Sequence, residues 1–194
     1  MLPKAEFVHW WFATGFLILG LLLLAESLVG EAAWRRRPWR VYLWPSFLFL
    51  MGLLMWPVMT FYTNSAIHMI AHGAWAQVLM GGSAMELGLV SGKLRSGWWR
   101  LGMPAGFLVS GVAFLVHEQN AWLFQRSAFL HHLLGWTLVV ASIFPLVRVF
   151  RPRSQLAATG FALTFVVVAV TLYCDRDVAQ IFGHISPLAG APHR

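Results

Sequence analysis

Residues 7–29 read FVHWWFATGFLILGLLLLAESLV, an apolar run with one histidine near its start and one glutamate near its end. A helix of about 20 such residues crosses a hydrocarbon core roughly 30 Å thick. A membrane barrel would instead show short alternating segments of about 10 residues, which this chain lacks. The run has no strongly basic leader and continues past Leu24 without an A-x-A-like cleavage site. It therefore reads as a retained first span and not as a cleaved signal peptide.

Five comparable runs follow, at 41–61, 67–90, 101–116, 128–147 and 156–173. Only 11% of the residues are charged, where a soluble domain of this length carries about a quarter. The expected fold is all-α: a polytopic bundle of six transmembrane helices filling residues 1–174, with a short tail at 175–194. No internal repeat, low-complexity tract or second domain is visible. Pro57 and Pro104 lie in apolar runs, where proline kinks a helix or opens its first turn. Gly81, Gly82, Gly88, Gly106 and Gly111 are expected to let helices approach closely.

The net charge of +7 is a matter of topology and not of nucleic-acid binding. Ten of the fourteen basic residues fall in three connections: Arg35, Arg36, Arg37 and Arg40; Lys93, Arg95 and Arg100; Arg148, Arg151 and Arg153. The alternate segments hold only Lys4, Arg126, Arg176 and Arg194. Basic loops stay in the cytoplasm, so both termini are expected on the non-cytoplasmic side of a plasma (inner) membrane. Tryptophans agree, with Trp34, Trp39, Trp98 and Trp99 flanking the inner face and Trp10, Trp11 and Trp122 the outer. The single cysteine, Cys174, gives no disulfide and no redox-compartment signal.

All eight histidines fall on the non-cytoplasmic half of this arrangement. His9, His68, His72, His117, His131 and His132 come from four spans and reach a similar depth. Taken singly, each reads as a neutral imidazole hydrogen-bonded to a neighbouring helix. Taken together, they predict a shared site, because polar rings are costly in hydrocarbon. In the third span, His68, His72, Trp75, Leu79, Ser83 and Glu86 share one helical stripe. His68 and His72, spaced i to i+4, lie about 6 Å apart along the axis and can reach one ion. Glu86 lies about 21 Å deeper than His72 by helical rise, so it is no ligand of that site. Glu26 sits at a similar inner level. The two acids either snorkel to the inner surface, Glu86 towards Lys93 or Arg95, or mark a proton path.

A second cluster lies in LVHEQNAWLFQRSAFLHHLLGW at 115–136, which joins spans four and five on the outer side. His131 and His132 are adjacent, about 100° apart on a helix, so only one can point squarely inward. His131 is the expected ligand. His132, Glu118 and Gln119 are expected as its supporting polar neighbours.

The segments HWWFATGFLILG at 9–20, HGAWAQVLMGGSAMELGL at 72–89, and HEQ followed by HHLLGW resemble the eukaryotic transmembrane-protein-45 family. That is a multi-span family whose biochemical role is poorly defined. The resemblance covers spans one to five and implies a site shared by these histidines, without naming its ligand. This chain has one histidine in HEQ where the family tends to have two, and six spans where seven are usual.

Three functions fit the pattern. The first is a transition-metal site, copper or zinc, ligated by His68, His72 and His131 with His9 and His117. Met59 and Met69 would favour Cu(I) if they reach it. The second is a b-type haem membrane cytochrome exchanging electrons with quinone, His72 and His131 being the axial pair. The third is a non-catalytic accessory subunit of a larger membrane complex. No Walker loop, zincin HExxH or GxSxG elbow is present, and no enzymatic reaction is assigned. The lipid bilayer is the expected partner in all three.

Overall fold

The computed structural model describes residues 5–62, 66–116 and 125–175, with side chains over 7–57, 72–116 and 129–175. The described residues hold no strand. Helix α1 is Ala5–Val29, followed by a single turn, α2, at Glu31–Trp34 and a 3₁₀ turn at Pro38–Tyr42. Then come α3 (Leu43–Tyr62), α4 (Ala66–Val90), a 3₁₀ turn at Gly97–Leu101, α5 (Gly102–Val116), α6 (Gln125–Phe150) and α7 (Gln155–Tyr173). The boundaries fall within a few residues of the apolar runs.

Local chemistry explains the ends. Gly30 (φ 85°) and Gly92 (φ 74°) stop α1 and α4 in the left-handed region, which glycine enters without a Cβ clash. Ser154 caps α7, its Oγ accepting from the Ala157 amide at 3.3 Å. Pro104 sits in the first turn of α5, where its missing N–H costs nothing, whereas Pro57 and Pro145 lie inside α3 and α6.

The long helices pack as a closed ring. Each rests on its neighbour in sequence, α3 on α4, α4 on α5, α5 on α6 and α6 on α7, and α1 closes the circle against α7 and α3. Aromatic side chains fill the axis. Phe16 lies 6.1 Å from both Trp75 and Phe165, and Phe107 lies 5.6 Å from Trp75 and from Phe161, centroid to centroid. Four helices contribute to that layer, and offset or edge-on pairs add to its packing.

The α5–α6 crossing brings backbone close to backbone from both sides. A Cβ on Gly111 would lie 2.8 Å from the Gly135 carbonyl oxygen, and one on Gly135 would lie 3.1 Å from that of Gly111. Small residues permit this approach where lipid supplies no hydrophobic drive between helices. Gly81 does not serve this purpose: nothing lies within 4 Å of where its Cβ would be, so that expectation is corrected. Gly82, Gly88 and Gly106 each meet a single side chain, Met103, Leu94 and Val78 respectively.

Among the described residues, four helical segments are long and apolar enough to cross a membrane: Phe7–Val29, Gly97–Val116, Phe129–Phe150 and Gln155–Tyr173. Their outward faces agree. Phe129, Leu133, Trp136, Val140 and Ile143 form an exposed stripe along α6 at helical spacing. Such a contiguous apolar face suits lipid and not water.

Candidate functional site

The glycine crossing sets up the site. Phe114 follows Gly111 by one turn on α5, and His131 precedes Gly135 by one turn on α6, so both reach the same level. His72 comes to them from α4, one turn before the buried Trp75. The His72 and His131 ring centroids are 5.9 Å apart, with the rings nearly perpendicular. Phe114 completes a triangle, 5.3 Å from His72 and 6.1 Å from His131. His131 is only 5% exposed, whereas its neighbour His132 faces outward. Burial among aromatic rings removes the His131 imidazole from bulk water and makes any ion bound there harder to reach by solvent.

His9 stands elsewhere on the same end. Its Nδ1 lies 3.0 Å from Oδ2 of Asp175, which follows α7 and is 3% exposed. Two residues beyond α7 at most, this contact ties the end of the last helix back to the first. The Thr14 and Tyr173 hydroxyls, 2.7 Å apart, fasten the same pair of helices.

The structure thus brings His72 and His131 together and gives His9 to Asp175. The side chain of His68 and the whole of His117, Glu118 and Gln119 lie outside the described residues, as do the side chains of Met59 and Met69. Among the described residues, no three histidine, cysteine or acidic side chains gather closely enough to hold a metal ion. What is visible is a pair.

Two contributors escaped the sequence. Asp175 sits in CDRD, where the first acid after an apolar run reads as the start of a tail. Phe114 reads as ordinary packing, since nothing in a one-dimensional pattern distinguishes a ring that faces two imidazoles.

Glu26 and Glu86 sit at the opposite end of the bundle. Among the described residues Glu86 makes no ion pair, and the arginines go instead to Glu31: Arg35 at 2.9 Å and Arg148 at 3.8 Å. Ser83, on the stripe between His72 and Glu86, donates to the Leu79 carbonyl of its own helix. Ser27 joins α1 to α7 through the Thr159 hydroxyl at 2.8 Å and the Gln155 amide at 2.9 Å.

Comparison of the chain with protein-family models, with curated proteins and with solved structures finds no match. The resemblance to the transmembrane-protein-45 family rests on the histidine-bearing segments alone.

Proposed function

We propose that the protein is a six-span membrane protein that holds a copper or zinc ion between α4 and α6 at the non-cytoplasmic end of the bundle. The observation that carries this reading is the His72–His131 pair, two imidazoles from different helices with centroids 5.9 Å apart. Two imidazoles bound to one ion at about 2.0–2.1 Å keep their centroids roughly 5–6 Å apart. The pair therefore needs little movement to share an ion. Neutral imidazole suits both metals. Zinc takes four ligands and copper fewer or as many, so two histidines leave room for further donors. His68, one turn before His72, and His117, three residues after Phe114, are the donors the sequence offers.

A single ion fits better than haem. Phe114 stands beside the midpoint between the two imidazoles, within 6.1 Å of each ring. A flat macrocycle threaded between the histidines would overlap that phenyl ring, whereas an ion on the line joining them would not.

The orientation follows from the three basic connections, and both termini lie outside the cytoplasm. Cys174, exposed at the end of α7, reports on it. An impermeant maleimide should label Cys174 in intact cells and should label a Cys174→Ser/Ser91→Cys variant only after lysis.

Elemental analysis and an absorption spectrum of the detergent-purified chain test the site. The expected result is near-stoichiometric copper or zinc that is lost in His72→Ala and in His131→Ala. Full metal retention in the double variant refutes the assignment. A Soret band with a sharp reduced α band would make it a haem protein, and a metal-free, colourless chain would leave the accessory-subunit reading.

A further inference from the structure

The three basic connections converge on a second feature, at the end of the bundle away from His72. A cavity of about 310 Å³ opens there between the ends of α3, α4, α6 and α7 and the turn leading into α5. Four arginines line it: Arg35, Arg95, Arg100 and Arg148. Only two acids oppose them, Glu31 and Glu86. Glu31 already engages Arg35 and Arg148, at 2.9 and 3.8 Å. Arg95 and Arg100 make no ion pair among the described residues and are exposed. The cavity therefore carries guanidinium donors in excess of its carboxylates.

Its deeper wall is apolar, formed by Trp44, Met103 and Phe161. Trp98 and Trp99, both exposed, lie in sequence between Gly97 and Arg100, which line the cavity. Exposed indoles at a helix end mark the headgroup level of a bilayer. A planar guanidinium offers paired N–H donors that match the oxygens of a phosphate. The volume lies at the small end of ligand sites, enough for a phosphate and a glycerol but not for a larger cofactor. Basic pockets between helices at the cytoplasmic surface are the usual seat of anionic lipid headgroups.

We infer that this cavity binds a phosphate-bearing anion, gripped by Arg95 and Arg100 with Arg35 and Arg148 behind them. The same chemistry is offered by the phosphodiester of an anionic phospholipid in the adjoining leaflet and by free phosphate. The inference stands independently of the metal site.

The test uses the full chain. It is reconstituted in phosphatidylcholine with or without phosphatidylglycerol, and bound lipid is counted by native mass spectrometry. In parallel, the detergent-solubilised chain is titrated with inorganic phosphate while its thermal midpoint is followed. Arg95→Gln/Arg100→Gln should weaken binding at least about tenfold, the loss of two charge-assisted hydrogen bonds. Arg36→Gln/Arg153→Gln removes the same charge from outside the cavity and should leave binding within about twofold. Arg100→Lys keeps the charge but not the fork and should also weaken it. Retention of phosphatidylglycerol that depends on the cavity arginines identifies a lipid; a phosphate response alone, with the same dependence, identifies a soluble anion. Equal losses in the two double variants would mean diffuse surface attraction, and no binding in either arm would leave an empty basic cleft. Either of those results overturns the inference.

Discussion

Replacing Gly111 by alanine tests how the histidine pair is assembled without touching a histidine. The new Cβ would stand 2.7 Å from Val139 Cγ2, 2.8 Å from the Val139 amide nitrogen and 2.8 Å from the Gly135 carbonyl oxygen. Two of these contacts are backbone, so no rotamer change relieves them. Ordinary contact begins at 3.4 Å, and α5 and α6 must part by roughly 0.6 Å or bend locally. Overpacking of this kind costs about 1–3 kcal/mol. Alanine also gains up to about 1 kcal/mol in helix propensity over glycine, which blurs the raw effect. Gly81→Ala supplies the correction, because nothing lies within 4 Å of its Cβ and only the propensity gain applies. The difference between the two variants then isolates the crossing. For a chain of this size it corresponds to about 2–12 °C in thermal midpoint, Gly111→Ala being the lower. Tryptophan-fluorescence melting of both proteins in the same detergent measures it. On the proposed metal reading, a shift of α6 would also move His131 relative to His72, so bound metal should fall in Gly111→Ala and stay constant in Gly81→Ala. Coincident melting curves for the two variants would refute the claim that this crossing is close-packed.

Three further substitutions probe the rest of the bundle. Phe107→Ala removes the ring that meets Trp75, Phe161 and Phe165 and should cost about 3–5 kcal/mol in a denaturation series, among the largest single losses in the protein. His9→Ala takes the imidazole from the buried Asp175 and should cost about 1–3 kcal/mol, while His9→Ala/Asp175→Leu should recover part of that loss in a double-mutant cycle. A double loss equal to the sum of the losses in His9→Ala and Asp175→Leu would show the contact to be idle. Ser27→Ala breaks the α1–α7 contacts to Thr159 and Gln155 and should cost only about 0.6 kcal/mol, and at most about 1.7, in the same measurement.

Helix positions were legible because an apolar run of membrane length admits few other structures. The third run, 67–90, became α4 at Ala66–Val90 for that reason alone. Which residues meet was legible only in part. Gly111 and Gly81 look alike in sequence, yet one faces a partner's backbone and the other faces open space, since the angle at which two helices cross is fixed by every other contact in the ring. The histidines illustrate the same limit. Depth follows from counting residues along a span, which is why His9, His72 and His131 reach one end. Azimuth depends on neighbours, and it divides them, His72 facing His131 while His9 faces Asp175. The arginine cavity was visible only as three basic connections. Its walls come from segments more than a hundred residues apart, brought together by ring closure of α1 on α7 and α3.

That closure also bears on what the two ends can share. The imidazole pair and the arginine cavity are both polar and lie at opposite ends of the bundle. Between them the axis is filled by Phe16, Trp75, Phe107 and Phe165, the last three within 6 Å of one another through Phe107. Those rings offer no hydrogen-bonding chain along which a proton could pass, and the buried Ser110 hydroxyl beside them has no hydrogen-bond partner among the described residues. Coupling between the ends would therefore have to be mechanical, carried by a shift of α4 or α6, the two helices that contribute to both. Such a shift would move His72 or His131 and Glu86 or Arg148 together. Because binding linkage is reciprocal, a phosphate ligand that left metal affinity unchanged would mean that the aromatic layer holds both helices still, and that each end works alone.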